Sequence, residues 1–182
     1  MQITATLDVT TRAAWRQWLA EHGGTQREIW LILYTPASGK ADFTYVHAVH
    51  EALCFGWIDS TTKKVDAERT AQRFSPRRPK SNWTELNKER ARRLIAAGLM
   101  APAGYATLPD LSTDNFRIAD DILAALRTDP ATWENFQSFP AFYQRIRISN
   151  LEEVRPQPEL FQSRLANLLR KTRQNKMFGP VD

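Results

Sequence analysis

Segments with the composition of β-strands occur only in the first 76 residues of this 182-residue chain. Residues 28–35, EIWLILYT, are rich in β-branched and aromatic side chains and end at a proline, which predicts a buried strand. WIDSTTKKV at 57–65 and RTAQRFSP at 69–76 flank a polar turn and predict a β-hairpin. Few strands followed by a long helical remainder predict an α+β fold: a small, mostly antiparallel sheet backed by helices, then an all-helical C-terminal region.

Two helices are predicted within the strand-containing part. Residues 10–24 contain an apolar stripe with Thr10 or Thr11 as its cap and two glycines at its end. Residues 45–56 show the clearest helical pattern. Its apolar side chains recur at the spacing of one helix face: Tyr45, Ala48, Val49, Ala52, Leu53 and Gly56.

The remainder of the chain is predicted to be helical. Ser81 is the expected N-cap of a long helix that ends just before Gly98. Later helical segments each end at a proline, and residues 170–179 are expected to be frayed. We therefore expect an α+β core at 1–108 and a helical C-terminal region at 109–182 that packs on the core.

Positive charge is concentrated in parts of the chain. The net charge is +5, but residues 73–93 hold eight basic and two acidic side chains. Residues 94–144 hold two basic and six acidic side chains, and 145–182 hold eight and four. Local positive charge is expected of a site that attracts an anion, although a solvated face is the general alternative.

The sequence predicts a cytoplasmic protein without membrane insertion. Cys54 is the only cysteine, so an internal disulfide is excluded and a reducing compartment is expected. No stretch approaches the roughly 18 apolar residues that span a bilayer. The N-terminal segment MQITATLDVTTRAAW lacks the basic and apolar regions of a signal peptide.

Complete catalytic and cofactor motifs are absent from the sequence. Without GxSxG, GxGxxG or a P-loop, we expect no cofactor and no nucleotide-hydrolysing site. His47 and His50 are three apart but lack the further ligands of a zinc site, so no metal is expected. Cys54 is predicted to be a small buried side chain rather than a nucleophile. Glu51 and Asp59 remain as candidates for general acid–base catalysis.

The segment QRFSPRRPKSNW at 72–83 is the most informative for function. Pro76 and Pro79 keep the backbone extended, which lowers the entropy cost of ordering Arg77, Arg78 and Lys80 on a ligand. A helix N-terminus at Ser81 would add free N–H groups. Together these residues predict a pocket for a phosphate or carboxylate.

Two further interpretations of this segment concern its aromatic and basic side chains. Phe74 and Trp83 could stack on a base or sugar, which would extend the ligand class to nucleotides and nucleic acid. Alternatively, the arginines pair with Asp59, Asp66 or Glu51 and only lock the hairpin to the helix. The residues by themselves support both interpretations.

The motifs EALCFGWIDS and QRFSPRRPKSNWTELNKERARRLIAAGLMAPAG resemble the YdeI/OmpD-associated, or bacteriocin-protection, family over about residues 28–105. The helical remainder resembles that family's C-terminal region more loosely. The resemblance implies a link to stress and antimicrobial resistance, without a defined reaction. It carries over residue by residue to Glu51, Cys54, Phe55, Gly56, Trp57, Asp59, Arg73, Phe74, Pro76, Arg77, Lys80, Ser81, Trp83 and Asn87.

Three functions therefore stand as hypotheses. The first is a protein that binds an anionic ligand, a small phosphate or carboxylate, a nucleotide or a nucleic acid. Its ligand-binding residues are Trp57, Asp59, Arg73, Phe74, Arg77, Arg78, Lys80, Ser81, Trp83 and Asn87. The second is a hydrolase-type enzyme with Asp59 or Glu51 as general base, and the third is an interaction module whose motif only organises the fold. We expect binding rather than catalysis.

Overall fold

The computed structural model describes residues 2–40 and 42–181. These residues form two compact units. Unit 1 comprises the described residues of Met1–Asn82 and Arg90–Asp110, and unit 2 those of Trp83–Glu89 and Leu111–Asp182.

Unit 1 contains a four-stranded mixed sheet in the order β1-β2-β4-β3. The strands are β1 (Thr6–Leu7), β2 (Ile29–Tyr34), β3 (Trp57–Lys64) and β4 (Arg69–Pro76). β1 pairs with β2 in parallel, whereas β2 and β3 both pair antiparallel with β4. The predicted α+β class, buried strand and hairpin are confirmed. The two-residue strand β1 is too short to leave a pattern in the sequence.

The hairpin register changes close to one predicted site residue. Asp59 lies opposite Phe74, but the next pair along the strands is Thr62 with Gln72, so β3 carries one extra residue at this point. Such a bulge increases the local twist and redirects nearby side chains. The polar turn of the hairpin is closed by Asp66, whose carboxylate accepts backbone N–H groups from Glu68 and Arg69.

Helices of unit 1 begin at capping threonines. α1 (Arg12–His22) follows Thr11, which accepts a hydrogen bond from Ala14 N, as predicted. α2 (Tyr45–Cys54) follows Thr44, and the His47 side chain accepts from the Thr44 backbone to complete a capping box. α3 (Glu85–Ala96) and the short α4 (Pro102–Tyr105) follow, with residues 85–89 of α3 belonging to unit 2.

Aromatic side chains hold α1 on the sheet. The ring of Trp15 lies 5.4 Å from that of Phe74, and Trp18 contacts Trp57 edge to face at 5.7 Å. Trp57 also donates its indole N–H to Gly23 O, which ties β3 to the end of α1. Edge-to-face and tilted aromatic pairs stabilise a core beyond the area they bury.

Unit 2 contains the helices α5 (Asp120–Arg127), α6 (Pro130–Ser138), α7 (Ala141–Glu152) and α8 (Pro158–Arg173). The predicted helix ends before prolines agree with these bounds, because α5 ends at Arg127 before Pro130 and α6 ends at Ser138 before Pro140. Pro130 and Pro158 themselves occupy first-turn positions of α6 and α8, where a missing N–H costs nothing. The core of unit 2 is formed by Ile122, Leu126, Phe136, Ile148, Leu151, Val154, Phe161, Leu165 and Leu168.

The basic C-terminal end is ordered by contacts within unit 2. α8 continues to Arg173, Phe178 N–H donates to the Tyr143 hydroxyl, and Arg147 Nη2 donates to Pro180 O at 2.7 Å. The prediction that residues 170–179 are frayed is wrong, because these tertiary hydrogen bonds leave no trace in local composition. Within the described ranges, no helix has the length and apolar character needed to cross a membrane.

Candidate functional site

The end of β4 leads directly into a tight turn. Arg77 N–H donates to Gly56 O at 2.9 Å, which anchors the first residue beyond the strand. Ser81 N–H then donates to Arg78 O at 3.1 Å, with Pro79 and Lys80 at the two central positions. Proline at the second position and a positive φ at the third are typical of a type II turn, and φ of Lys80 is 61°.

Ser81 does not cap α3, which corrects the sequence-based expectation. The helix begins at Glu85, and it is Thr84 Oγ1 that accepts the backbone N–H of Asn87, at 3.2 Å. Thr84 and Ser81 both suit a cap, but the turn at 78–81 uses Ser81 N–H locally. The free N–H groups of the helix start therefore do not lie at Ser81, and the prediction that they contribute to an anion site there is wrong.

The guanidinium of Arg77 is buried at the base of this turn. Arg77 is only 7% exposed, and its Nη1 lies 3.4 Å from Asn82 O. Burial lowers the pKa of Arg77 to about 10, and the nearby charge of Asp59 opposes that shift only in part. Arg78 and Lys80, by contrast, are exposed. The structure thus places one desolvated and two solvated cations within four residues.

Asp59 links Arg77 to a residue that sequence reasoning did not select. The Tyr45 hydroxyl donates to Asp59 Oδ2 at 2.7 Å. Burial and then this hydrogen bond raise the pKa of Tyr45 well above its usual range, while the charge of Arg90 opposes the shift. Tyr45, Asp59, Arg77 and Arg90 are therefore electrostatically coupled within unit 1. The pattern of the 45–56 helix placed Tyr45 on the apolar face, so no local signal pointed to this contact.

Arg73 has a pairing partner on the sheet. Its Nε donates to Glu28 Oε2 at 2.9 Å, its Nη2 donates to the same oxygen, and its Nη1 donates to Ser60 Oγ. The side chains of Arg73 and Glu28 are 20% and 26% exposed. This arrangement links β4 to β3 and to the residue before β2, as in the structural interpretation of the arginines, but with Glu28 as the acid.

Three aromatic residues of the predicted site are buried. Phe74 is 0%, Trp57 1% and Trp83 9% exposed. Phe74 and Trp57 contact tryptophans of α1, so a ligand base would have to displace core packing to stack on them. Asn87 is half-buried in the first turns of α3 and belongs, with Trp83, to unit 2. Ligand contacts with these aromatic rings would therefore require rearrangement of buried side chains.

Glu51 occupies a separate ion-pair cluster. It is 2% exposed and accepts hydrogen bonds from Arg12 Nε and, at 2.6 Å, from Arg16 Nη1. Arg16 also donates to Leu99 O at 2.8 Å and lies over the Phe55 ring. Both carboxylate oxygens of Glu51 are thus engaged by guanidinium groups, whereas Asp59 is held by Tyr45. The two candidate bases are in different hydrogen-bond networks.

The remaining reactive side chains near α2 have local structural contacts. His47 accepts the Thr44 backbone N–H, and Cys54 is fully buried, as predicted. Burial raises the pKa of the Cys54 thiol, the charge of Glu51 adds to this, and Arg16 opposes it. In the part of the chain that the structure describes, no group of three or more His, Cys, Asp and Glu side chains is placed to hold a metal ion.

The two parts of the chain match two different family models. Residues 115–175 match the family described as bacteriocin-protection, YdeI or OmpD-associated, which confirms the predicted resemblance. That match lies in the helical part, whereas the two motifs that suggested it lie within a second match. No curated protein and no solved structure matches the chain. Because the second match covers residues 7–107, more than half of the chain, the protein belongs to the family described as a domain of unknown function (DUF8412).

Proposed function

We propose that unit 1 binds a small oxyanion, a phosphate or a carboxylate, at the 77–82 turn, with Arg77 as the principal contact. The observation that carries the proposal is a guanidinium that is 7% exposed at the base of an anchored turn. Arginine binds an oxyanion through bidentate, charge-assisted hydrogen bonds, and such bonds are strongest where water is largely excluded.

The charges around the turn favour an anion. Residues 73–84 contain Arg73, Arg77, Arg78 and Lys80 and no acidic side chain. Arg73 is paired with Glu28, and Asp59 acts on Arg77, so the exposed Arg78 and Lys80 supply the excess positive charge. Such an excess draws anions to a site and holds them more weakly as salt is added.

The backbone of the turn has an uncommon conformation at Lys80. Lys80 has a φ of 61°. Glycine adopts such values readily and asparagine sometimes, but other residues rarely do. Residues in such conformations cost about 1–3 kcal/mol and are frequent in ligand-binding loops. Lys80 precedes Ser81 in this turn, and the Ser81 N–H closes the turn by donating to Arg78 O.

Nucleic acid is the less favoured ligand at this turn. The rings of Phe74 and Trp83 are buried, so base stacking lacks an exposed platform and only phosphate contacts remain. Catalysis is also less favoured, because Asp59 accepts from Tyr45 and Glu51 is engaged by two arginines. A role of the bound anion in stress or bacteriocin resistance belongs to the same proposal, since the family matched at 115–175 is described by bacteriocin protection.

Titration of the protein with inorganic phosphate, followed by backbone amide NMR shifts, tests the proposal. We expect shifts centred on Gly56 and residues 77–82. Arg77→Lys keeps the charge but loses the planar fork, so it should weaken phosphate binding about tenfold or more, for a loss of roughly 1.5–3 kcal/mol. Arg73→Lys is the matched control, because it alters an arginine of the preceding strand β4 that is paired with Glu28.

Stability measurements separate this proposal from a purely structural role. Arg77→Ala, Asp59→Ala and the double variant form a cycle in urea melts. If both single variants unfold the protein and the double variant is partly rescued, Arg77 serves the fold and the binding proposal is wrong. If phosphate does not bind but a single-stranded oligonucleotide does, with an affinity that falls steeply as salt is added, the ligand is nucleic acid rather than a small anion.

A further inference from the structure

A cavity of about 340 Å³ lies within unit 2, between α7, α8 and the C-terminal segment. Arg147 and Asn150 of α7, Arg164 and Asn167 of α8, and Phe178 and Gly179 of the C-terminal segment contribute to its lining. Leu151 and Leu168 add apolar surface. Among the residues that the structure describes, no carboxylate lines this cavity. Its walls are therefore part apolar and part cationic.

Arg147 is the buried charge of this cavity. It is 6% exposed, and its compensation consists of Pro180 O, which accepts from Nη2 at 2.7 Å, and the faces of two aromatic rings. The guanidinium carbon lies 5.2 Å from the Tyr143 ring and 5.3 Å from the Phe178 ring. Nε–H is buried and, within the described ranges 2–40 and 42–181, makes no hydrogen bond. A buried donor without an acceptor costs about 1–3 kcal/mol.

The C-terminal segment is shaped around this guanidinium. Gly179 has a φ of 72°, and a Cβ at this position would overlap Arg147 Nη1. Phe178 N–H donates to the Tyr143 hydroxyl, so residues 178–180 form a strap that holds Arg147 against α7 from one side. Burial dominates the electrostatics of the site, since it lowers the pKa of Arg147 despite the opposing contribution of Tyr143. The strap therefore keeps the Arg147 guanidinium out of water next to the open cavity.

We infer that this cavity binds a small organic acid, in which one oxyanion group meets Arg147 and a compact apolar body lies against Leu151, Leu168 and Phe178. An oxyanion accepts the Nε–H that is otherwise unused, and it compensates the buried charge. The volume is at the lower end of the range of roughly 300–1,000 Å³ for small-molecule sites, which selects a single-ring or short aliphatic acid. Arg164, exposed and donating to Asn150 O, adds positive charge to the same cavity. This site is independent of the 77–82 turn in unit 1.

Benzoate, phenyl phosphate and benzyl alcohol are the probes for the test. The first two combine a ring with an oxyanion, and the third is a neutral analogue of similar size. In the full-length chain, benzoate or phenyl phosphate should shift the Arg147 Nε–H resonance and bind at least tenfold more tightly than benzyl alcohol. Arg147→Lys should remove that preference, whereas Arg155→Lys, a residue of unit 2 outside the lining, should keep it. The wild-type preference and the Nε–H shift decide the question even if Arg147→Lys does not fold.

Two results would overturn the inference. Equal binding of benzoate and benzyl alcohol shows an apolar cavity in which Arg147 has no role. Absence of binding by all three probes shows that the strap closes the cavity to ligands.

Discussion

Glu51 provides a sharp test of structural against catalytic roles, because its exposure differs from that of its partners. The Glu51 side chain is 3% exposed, whereas those of Arg12 and Arg16 are 40% and 35% exposed. If the arginines lose their charge, a carboxylate remains buried without them. If the carboxylate loses its charge, two guanidiniums remain that water already reaches. The two ways of breaking the cluster should therefore differ in cost.

Glutamine substitutions on both sides measure this difference with little change of size. Arg12→Gln/Arg16→Gln should lower the free energy of unfolding by about 3–5 kcal/mol, as expected for a buried charge left uncompensated. Glu51→Gln should lower it by about 1–3 kcal/mol, because the amide oxygen still accepts from one arginine while the amide NH2 group faces the donors of the other, which water reaches. Urea melts followed by tryptophan fluorescence report the values, with unchanged slopes as the check on two-state unfolding.

Arg69→Gln is the control for these melts, since Arg69 pairs with Asp66 on the surface of the hairpin turn and should change stability little. A Glu51→Gln variant that is as destabilised as the double arginine variant would refute the reasoning from exposure. A Glu51→Gln variant of nearly native stability that loses a measured hydrolytic turnover would instead support the general-base hypothesis.

Two further predictions concern Cys54 and Tyr45. Cys54 is fully buried, and burial is the first cause that raises the pKa of its thiol. A thiol reagent at neutral pH should therefore label the native protein slowly and the urea-unfolded protein rapidly. Fast labelling of the native protein that His50→Ala suppresses would contradict this prediction. The pKa of Tyr45 is raised in the folded protein, whereas a tyrosine in the unfolded chain has a pKa of about 10. Above about pH 10 the unfolded chain therefore loses this proton while the folded protein keeps it. The contribution of Tyr45 to stability is constant below about pH 10 and is lost as the pH rises further. Tyr45→Phe should therefore show a shallower decline of stability between pH 10 and 11 than the wild type, and identical slopes would show that Asp59 does not hold the tyrosyl proton.

The local structure of this chain could be predicted from its sequence because local physics decides it. Several signals act within a few residues of the chain. They are the change from strand-like to helix-like patterns, Thr11 before α1, and the prolines at 130 and 158. The one failure of this kind is the start of α3. Ser81 and Thr84 are chemically similar N-cap residues. Ser81 belongs to the turn around Pro79 and Lys80, and Thr84 caps the helix instead.

Pairing between distant residues could not be predicted in this way. Arg73 was a candidate for pairing with an acid, but its partner Glu28 lies 45 residues earlier and is brought near by the pairing of β2 with β4. Tyr45 was assigned to the apolar face of α2, yet its hydroxyl reaches Asp59 because β3 turns back beside the helix. Each contact depends on sheet register or helix packing, which a single sequence does not encode in any local pattern.

The sequence by itself determined the fold class, most of the helices and strands apart from β1, α4 and the start of α3, and the concentration of positive charge at 73–93. Only the tertiary structure decided which charged side chains of the chain are paired or buried. It paired Arg73 and Glu51 with other residues, buried Arg77 beside Asp59, and surrounded Arg147 with two aromatic rings and a cavity. The physical reason is that secondary structure follows from periodicity and capping over a few residues. The solvation of a charge depends on every element that packs against it.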